Sequence, residues 1–239
     1  MGRLGCIIRK ELASYFNSAI AYVVMGVFVL LSGLLFFGGI FFEQNQAELR
    51  GLFTGVWTSL LAVIMGPAIS MRLLSEEKNN ETMEILLTMP VSTASVVWGK
   101  YIAAVLTFGC ALLVMLSFSV VVFMLGPIDI GPTVTGFLGL YLSIACYIAI
   151  GLAASAFTKN QIVAFLVGIV VCSFLWMLGK FQSIFPDKLR SIVGFLAMDT
   201  HLNSLARGLL DIGDLFYFVF IIVGGVLLAQ VKLEQERGR

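Results

Sequence analysis

The sequence predicts an all-α membrane protein with six transmembrane helices. Three observations carry this. The 239-residue chain is 59% hydrophobic and only 12% charged, about half the charge of an ordinary soluble domain. Its mean hydropathy is +1.01. Its charged residues all fall outside six stretches: Leu12 to Phe42, Gly51 to Met71, Tyr101 to Ile128, Ile130 to Thr158, Asn160 to Gly179 and Leu215 to Val231. A helix needs roughly 17 to 25 apolar residues to cross a bilayer, so each stretch is long enough to cross once.

Residues 1–18 precede the first span as an amphipathic lead-in. Leu4, Ile8, Leu12 and Phe16 recur every four residues, with Arg3, Arg9, Lys10 and Asn17 on other faces. This pattern predicts an interfacial helix lying at headgroup level, set apart from the first span by Asn17 and Ser18. Gly33, Gly38 and Gly39 in the first span, and Ala145, Ala149 and Ala153 in the fourth, are small residues that permit close helix packing.

The connection over residues 72–100 offers Asn79 or Asn80 as a helix cap. Glu81 and Glu84 stand where acids favour a helix start, and Pro90 ends that helix at or before Met89. Ser92 or Thr93 then caps the helix that runs into the third span. The connection over 180–214 carries two helical patterns, one in Leu189, Ile192, Val193 and Leu196, the other in Leu202, Leu205, Ala206, Leu209 and Leu210. It is expected to form two short outer amphipathic helices before the last span, with Leu202, Leu205 and Leu209 buried. His201, the single histidine, is expected to cap or face solvent at the start of the second.

Orientation follows from Lys and Arg in the flanks. One side collects Arg3, Arg9, Lys10, Arg72, Lys78, Lys100, Lys159, Lys232, Arg237 and Arg239. The other collects Arg50, Lys180, Lys188, Arg190 and Arg207. The bias predicts both termini in the cytoplasm.

Several function classes are disfavoured. A net charge of +1 gives no basic surface for nucleic acid. Cys6, Cys110, Cys146 and Cys172 lack metal-ligand or disulfide spacing. There is no G-x-x-x-x-G-K-[ST] run, no H-E-x-x-H and no G-x-S-x-G, so no nucleotide-cradling or hydrolytic motif is present. The spans hold no ionisable Asp, Glu, Lys or Arg of the kind ion-coupled carriers use. The sequence therefore predicts no catalytic, cofactor-binding or metal site. If the chain moves something, the energy comes from another protein.

Met83, Leu86 and Leu87 recur at i, i+3, i+4 in the 72–100 connection, outside the spans. Burying them gives at most about 5 to 9 kcal/mol, against roughly 4 to 15 kcal/mol for association. Two readings stand: a partner docks there, helped by Glu76, Glu77 and Glu84, or the side chains fold back on the chain's own spans.

The run from Ser75 to Ala104, S-E-E-K-N-N-E-T-M-E-I-L-L-T-M-P-V-S-T-A-S-V-V-W-G-K-Y-I-A-A, resembles the coupling-helix segment of ABC-2-type ABC transporter permeases. Glu84, Leu86, Leu87, Pro90, Gly99 and Lys100 match that pattern, while Glu81 replaces its glycine before Thr82. Arg9 to Val24 and Ala206 to Phe218 look like the subgroup of gliding-motility and nitrous-oxide-reductase maturation permeases, with Ala19 in place of a common proline. The resemblance extends over nearly the whole chain.

It implies a single transmembrane domain over residues 1–239 in the bacterial inner membrane. It also implies a non-catalytic permease subunit, paired with a second copy or paralogue, that couples ATP hydrolysis by cytoplasmic ATPase subunits to export. ATP would be bound by those partners. Glu76, Glu77, Glu81, Met83, Glu84, Leu86, Leu87 and Pro90 would form the ATPase-coupling site. The alternative is a mechanotransmission subunit acting on a periplasmic accessory protein without transport. Lipids are the remaining expected partner.

Overall fold

The computed structural model describes residues 3–41, 49–83 and 92–237. Among these residues the secondary structure is helical, without strands. This follows from the solvent: in hydrocarbon every backbone N–H and C=O needs a partner within the chain, and a helix supplies all of them locally.

Helix α1 spans Arg3–Phe16. Helix α2, Ala19–Leu35, continues into a π-helical turn over Phe36–Phe41. A short α3, Arg50–Thr54, leads to α4, Val56–Ser70, and α5, Arg72–Asn79, with only Met71 between the last two. Helices α6, Thr93–Leu125, α7, Ile130–Phe157, and α8, Gln161–Lys180, are spans. A 3-10 turn at Gln182–Ile184 precedes α9, Asp187–Leu196, and α10, Met198–Ala206. Helix α11, Ile212–Arg237, closes the chain.

Six helical segments are long and apolar enough to cross a membrane: Ala21–Gly38, Val56–Asn79, Thr93–Leu125, Ile130–Phe157, Gln161–Lys180 and Ile212–Arg237. They correspond to the six charge-free stretches. At 33 residues, α6 is about 50 Å long, well beyond the roughly 30 Å hydrocarbon core. Its one charged residue, Lys100, lies in its first turns.

Helix α7 is the most enclosed span and α8 the least. Small residues bring neighbours close to α7 on two sides. A Cβ on Gly225 of α11 would lie 2.8 Å from the Ala149 carbonyl oxygen, and one on Gly151 would lie 2.0 Å from Ser70 Oγ of α4. In the first span the outcome is mixed: Gly33 lies against Phe118, with a Cβ falling 2.8 Å from its ring, but Gly38 meets nothing within 4 Å.

Helix α1, the ends of α5 and α11 and the start of α6 lie at one end of the bundle, joined by the ion pairs described below. The α9–α10 hairpin lies at the other. Leu202 and Leu205 are buried there as the periodicity predicts, but Leu209 is 60% exposed. The physical reason is Gly208, whose φ of +86° breaks the helix after Ala206 and turns the following residues away.

Candidate coupling site

The residues around the 72–100 connection are held by three elements. Helix α5 buries Leu73, Leu74 and Lys78 and exposes Glu76 and Asn79. Its end is a Schellman-type stop. The Thr82 N–H donates to the Glu77 carbonyl (3.0 Å), the Asn80 N–H donates to the Glu76 carbonyl (2.9 Å), and Glu81 takes a φ of +58°. Asn79 and Asn80 therefore close a helix that began at Arg72, where the sequence suggests them as the start of a new one. The left-handed backbone at Glu81 also gives a physical reason for glycine at this position in the related pattern.

At the far edge, Ser92 caps α6 by accepting from the Ser95 N–H (3.3 Å). Thr93 donates to Glu234 Oε1 of α11 (2.8 Å). Just before the connection's turn, the Lys78 ammonium lies 2.7 Å from Glu236 Oε1 of α11 and also donates to the Ala156 carbonyl of α7. Seven residues after Thr93, the Lys100 ammonium lies 3.0 Å from Glu11 Oε1 of α1 and 2.8 Å from Glu77 Oε1 of α5. Lys78 and Lys100 are 7% and 4% exposed, so these are enclosed ion pairs, each locking two or more helices together.

Gly99 permits the approach that Lys100 needs. A Cβ there would lie 2.7 Å from Ile7 Cγ2, so only glycine lets α1 lie this close to α6. Tyr15 of α1 donates to the Ile69 carbonyl of α4 (3.2 Å). Burial, followed by the nearby Glu11 and Glu76 carboxylates, pushes the Tyr15 hydroxyl pKa up, so it remains a donor. Between α1, α5 and α6 is a polar cavity of about 370 Å³, with Lys10, Arg72 and Glu76 on its wall beside the Lys100 cluster.

The structure thus separates the sequence-derived residues. Glu76 is exposed on the cavity rim. Glu77 is turned inward, one oxygen on Lys100 and the other buried without a hydrogen-bond partner among the described residues. Glu81 is exposed. Met83 is 6% exposed and packs in the core, so for this side chain the fold-back arrangement is the one present. Glu84, Leu86, Leu87 and Pro90 lie outside the described residues, as does the rest of the expected helix from 84 to 89.

Composition gave no hint of the groups that hold this site. Glu11, Lys78, Lys100, Glu234 and Glu236 look like ordinary flanking charges until the fold pairs them. The same is true at the other end, where His201 is 6% exposed and does not face solvent. Its Nδ1 lies 2.6 Å from Asp214 Oδ1, its Nε2 donates to the Phe195 carbonyl (2.8 Å), and its ring stacks on Tyr217 at 4.0 Å. The Phe195 carbonyl can only accept, so Nε2 carries a proton. This ring fixes α9 and α10 to the start of α11.

The arrangement is a set of clamps. The described flanks of the 72–100 connection are tied through Lys78 on one side and through Thr93 and Lys100 on the other, and the ties reach α1, α5, α7 and α11.

A family model described as ABC-2 family transporter protein matches residues 6–186. The match takes in more than half of the chain and the whole 72–100 connection, and it ends before α9. None of the curated proteins compared matches the chain.

Proposed function

The chain belongs to the ABC-2 family of transporter proteins, and from that premise we propose that it is the permease subunit of an ATP-driven exporter. In this reading, separate cytoplasmic ATPase subunits bind and hydrolyse ATP. A second permease, identical or paralogous, completes the membrane unit. The end carrying both termini faces the cytoplasm of a bacterial inner membrane, as the bias of Lys and Arg toward that end supports. The local likeness at Arg9 to Val24 and Ala206 to Phe218 supports a placement near the gliding-motility and nitrous-oxide-reductase maturation permeases.

The observation that supports the coupling role is the anchoring of both described flanks of the 72–100 connection, at Lys78 and at Lys100. A segment that only joined two spans would need no enclosed ion pair at either edge. Here Lys78 is fixed to Glu236 at 2.7 Å, and Lys100 to Glu11 and Glu77 at 3.0 and 2.8 Å. Force applied by an ATPase at Glu81, Glu84, Leu86 and Leu87 would reach flanks that are tied to α1, α7 and α11. Glu76, at the rim, adds an accessible negative charge for a basic surface on the partner. Glu77 and Met83 act from inside these flanks.

The test is to ask whether an adjacent reading frame encodes a Walker A protein, to coexpress that protein with this chain, and to purify through this chain alone. The reading expects the ATPase to copurify, and Leu86→Ala or Glu84→Lys to weaken its retention while membrane insertion is unchanged. Normal copurification and full activity in both variants would refute the coupling role.

A further inference from the structure

A second cavity, of about 450 Å³, opens at the same end as the chain termini, where the α7–α8 turn meets residues 78–83 and the last turns of α11. Three lysines line it, Lys78, Lys159 and Lys232, with two carboxylates, Glu81 and Glu236. The charges do not cancel in pairs. Glu236 is already shared, with Lys78 at 2.7 Å and Lys232 at 3.6 Å from the same Oε1. Lys159 is exposed and has no ion-pair partner among the described residues. The cavity beside Lys100 differs: its three cations face three carboxylates, and its most enclosed cation, Lys100, is already paired with two of them.

The apolar surroundings place this cavity at a lipid boundary. The Lys232 ammonium lies 5.7 Å from the centre of the Phe157 ring, and that ring is 62% exposed. Ile162, three residues after Lys159, and Leu228, one helical turn before Lys232, are exposed apolar side chains. Each accessible lysine therefore stands at the edge of a hydrocarbon-facing strip, with its charge at headgroup level. A basic pocket between spans at the cytoplasmic side suits an anionic lipid headgroup.

We infer that this cavity binds the phosphodiester of an anionic phospholipid of the phosphatidylglycerol type, its acyl chains lying along Phe157, Ile162 and Leu228. Lys159 and Lys232 hold the phosphate, and Lys78 forms the floor. Met83, on the cavity wall, brings the headgroup against the start of the coupling segment. The assignment of leaflet rests on the proposed membrane orientation; the recognition of the lipid does not depend on an ATPase.

The test uses the full-length chain purified in detergent, titrated with phosphatidylglycerol or phosphatidylcholine of matched chains, with the bound fraction read by native mass spectrometry. Phosphatidylglycerol should bind more tightly than phosphatidylcholine. Lys159→Ala and Lys232→Ala should each weaken its binding about fivefold. Lys159→Arg should retain it, and Arg207→Ala, which removes the same charge from the opposite end, should leave it unchanged. Inorganic phosphate and glycerol 3-phosphate should not displace the lipid.

Equal binding of the two lipids, or unaltered binding by both lysine variants in monodisperse preparations, would overturn the inference. Displacement by inorganic phosphate would overturn the lipid as the ligand. Failure here leaves the transporter reading standing, and a missing ATPase partner leaves this site standing.

Discussion

Replacing Lys100 by methionine strands two carboxylates. The ammonium lies 3.0 Å from Glu11 and 2.8 Å from Glu77, whose side chains are 15% and 22% exposed. Methionine fills nearly the same space, so packing changes little and electrostatics dominates. Removing one member of a buried pair costs about 3–5 kcal/mol. Both acids keep some access to water, which screens them and sets the loss at the lower end, about 3 kcal/mol. That is a fall of roughly a hundredfold in the folded-to-unfolded ratio.

The assay is reversible unfolding in mixed micelles with increasing sodium dodecyl sulfate, followed by tryptophan fluorescence. The triple variant Lys100→Met, Glu11→Gln, Glu77→Gln should regain most of the loss, because no stranded charge remains. A single variant within 1 kcal/mol of the unaltered protein, or a triple variant no more stable than the single one, would refute the reasoning.

Three further outcomes follow from local geometry. Glu81→Gly should raise stability by up to about 1 kcal/mol in the same unfolding assay, since it relieves a left-handed residue at some cost in chain entropy. Gly225→Val should disrupt the α7–α11 contact by about 2 kcal/mol or more, because its Cβ would meet the Ala149 carbonyl at 2.8 Å. Gly224→Ala, where a Cβ meets nothing within 4 Å, should unfold like the unaltered protein. Leu205→Asp should prevent recovery of monodisperse protein, since Leu205 is fully buried, whereas Leu209→Asp, on an exposed side chain, should be recovered normally.

The spans were legible because a bilayer admits few charges, and the gaps between Glu11, Glu43, Arg50, Arg72 and the later charged residues mark them directly. The hairpin helices were legible for the same kind of reason: Leu202 and Leu205 repeat at helical spacing and are buried. The pattern misled at Leu209, since periodicity carries no mark of the Gly208 turn between it and the helix. Asn79 and Asn80 misled because asparagine serves at both ends of helices, and the burial of Leu73, Leu74 and Lys78 that extends α5 up to them is a tertiary fact. Lys100 with Glu11, Lys78 with Glu236 and His201 with Asp214 join residues from separate helices. No spacing rule links such partners, so these clamps became visible only in the fold.

We propose that an ATPase drives these six spans through residues 79–92. The direct measurement places a cysteine at exposed Glu81, pairs it with a scan of cysteines on the cytoplasmic ATPase that copurifies with this chain, and follows disulfide formation in membranes with and without ATP. The account predicts crosslinks from one contiguous patch of the ATPase, with yields that change when ATP binds. No crosslink from any ATPase position, with the two proteins present in the same membranes, would contradict it.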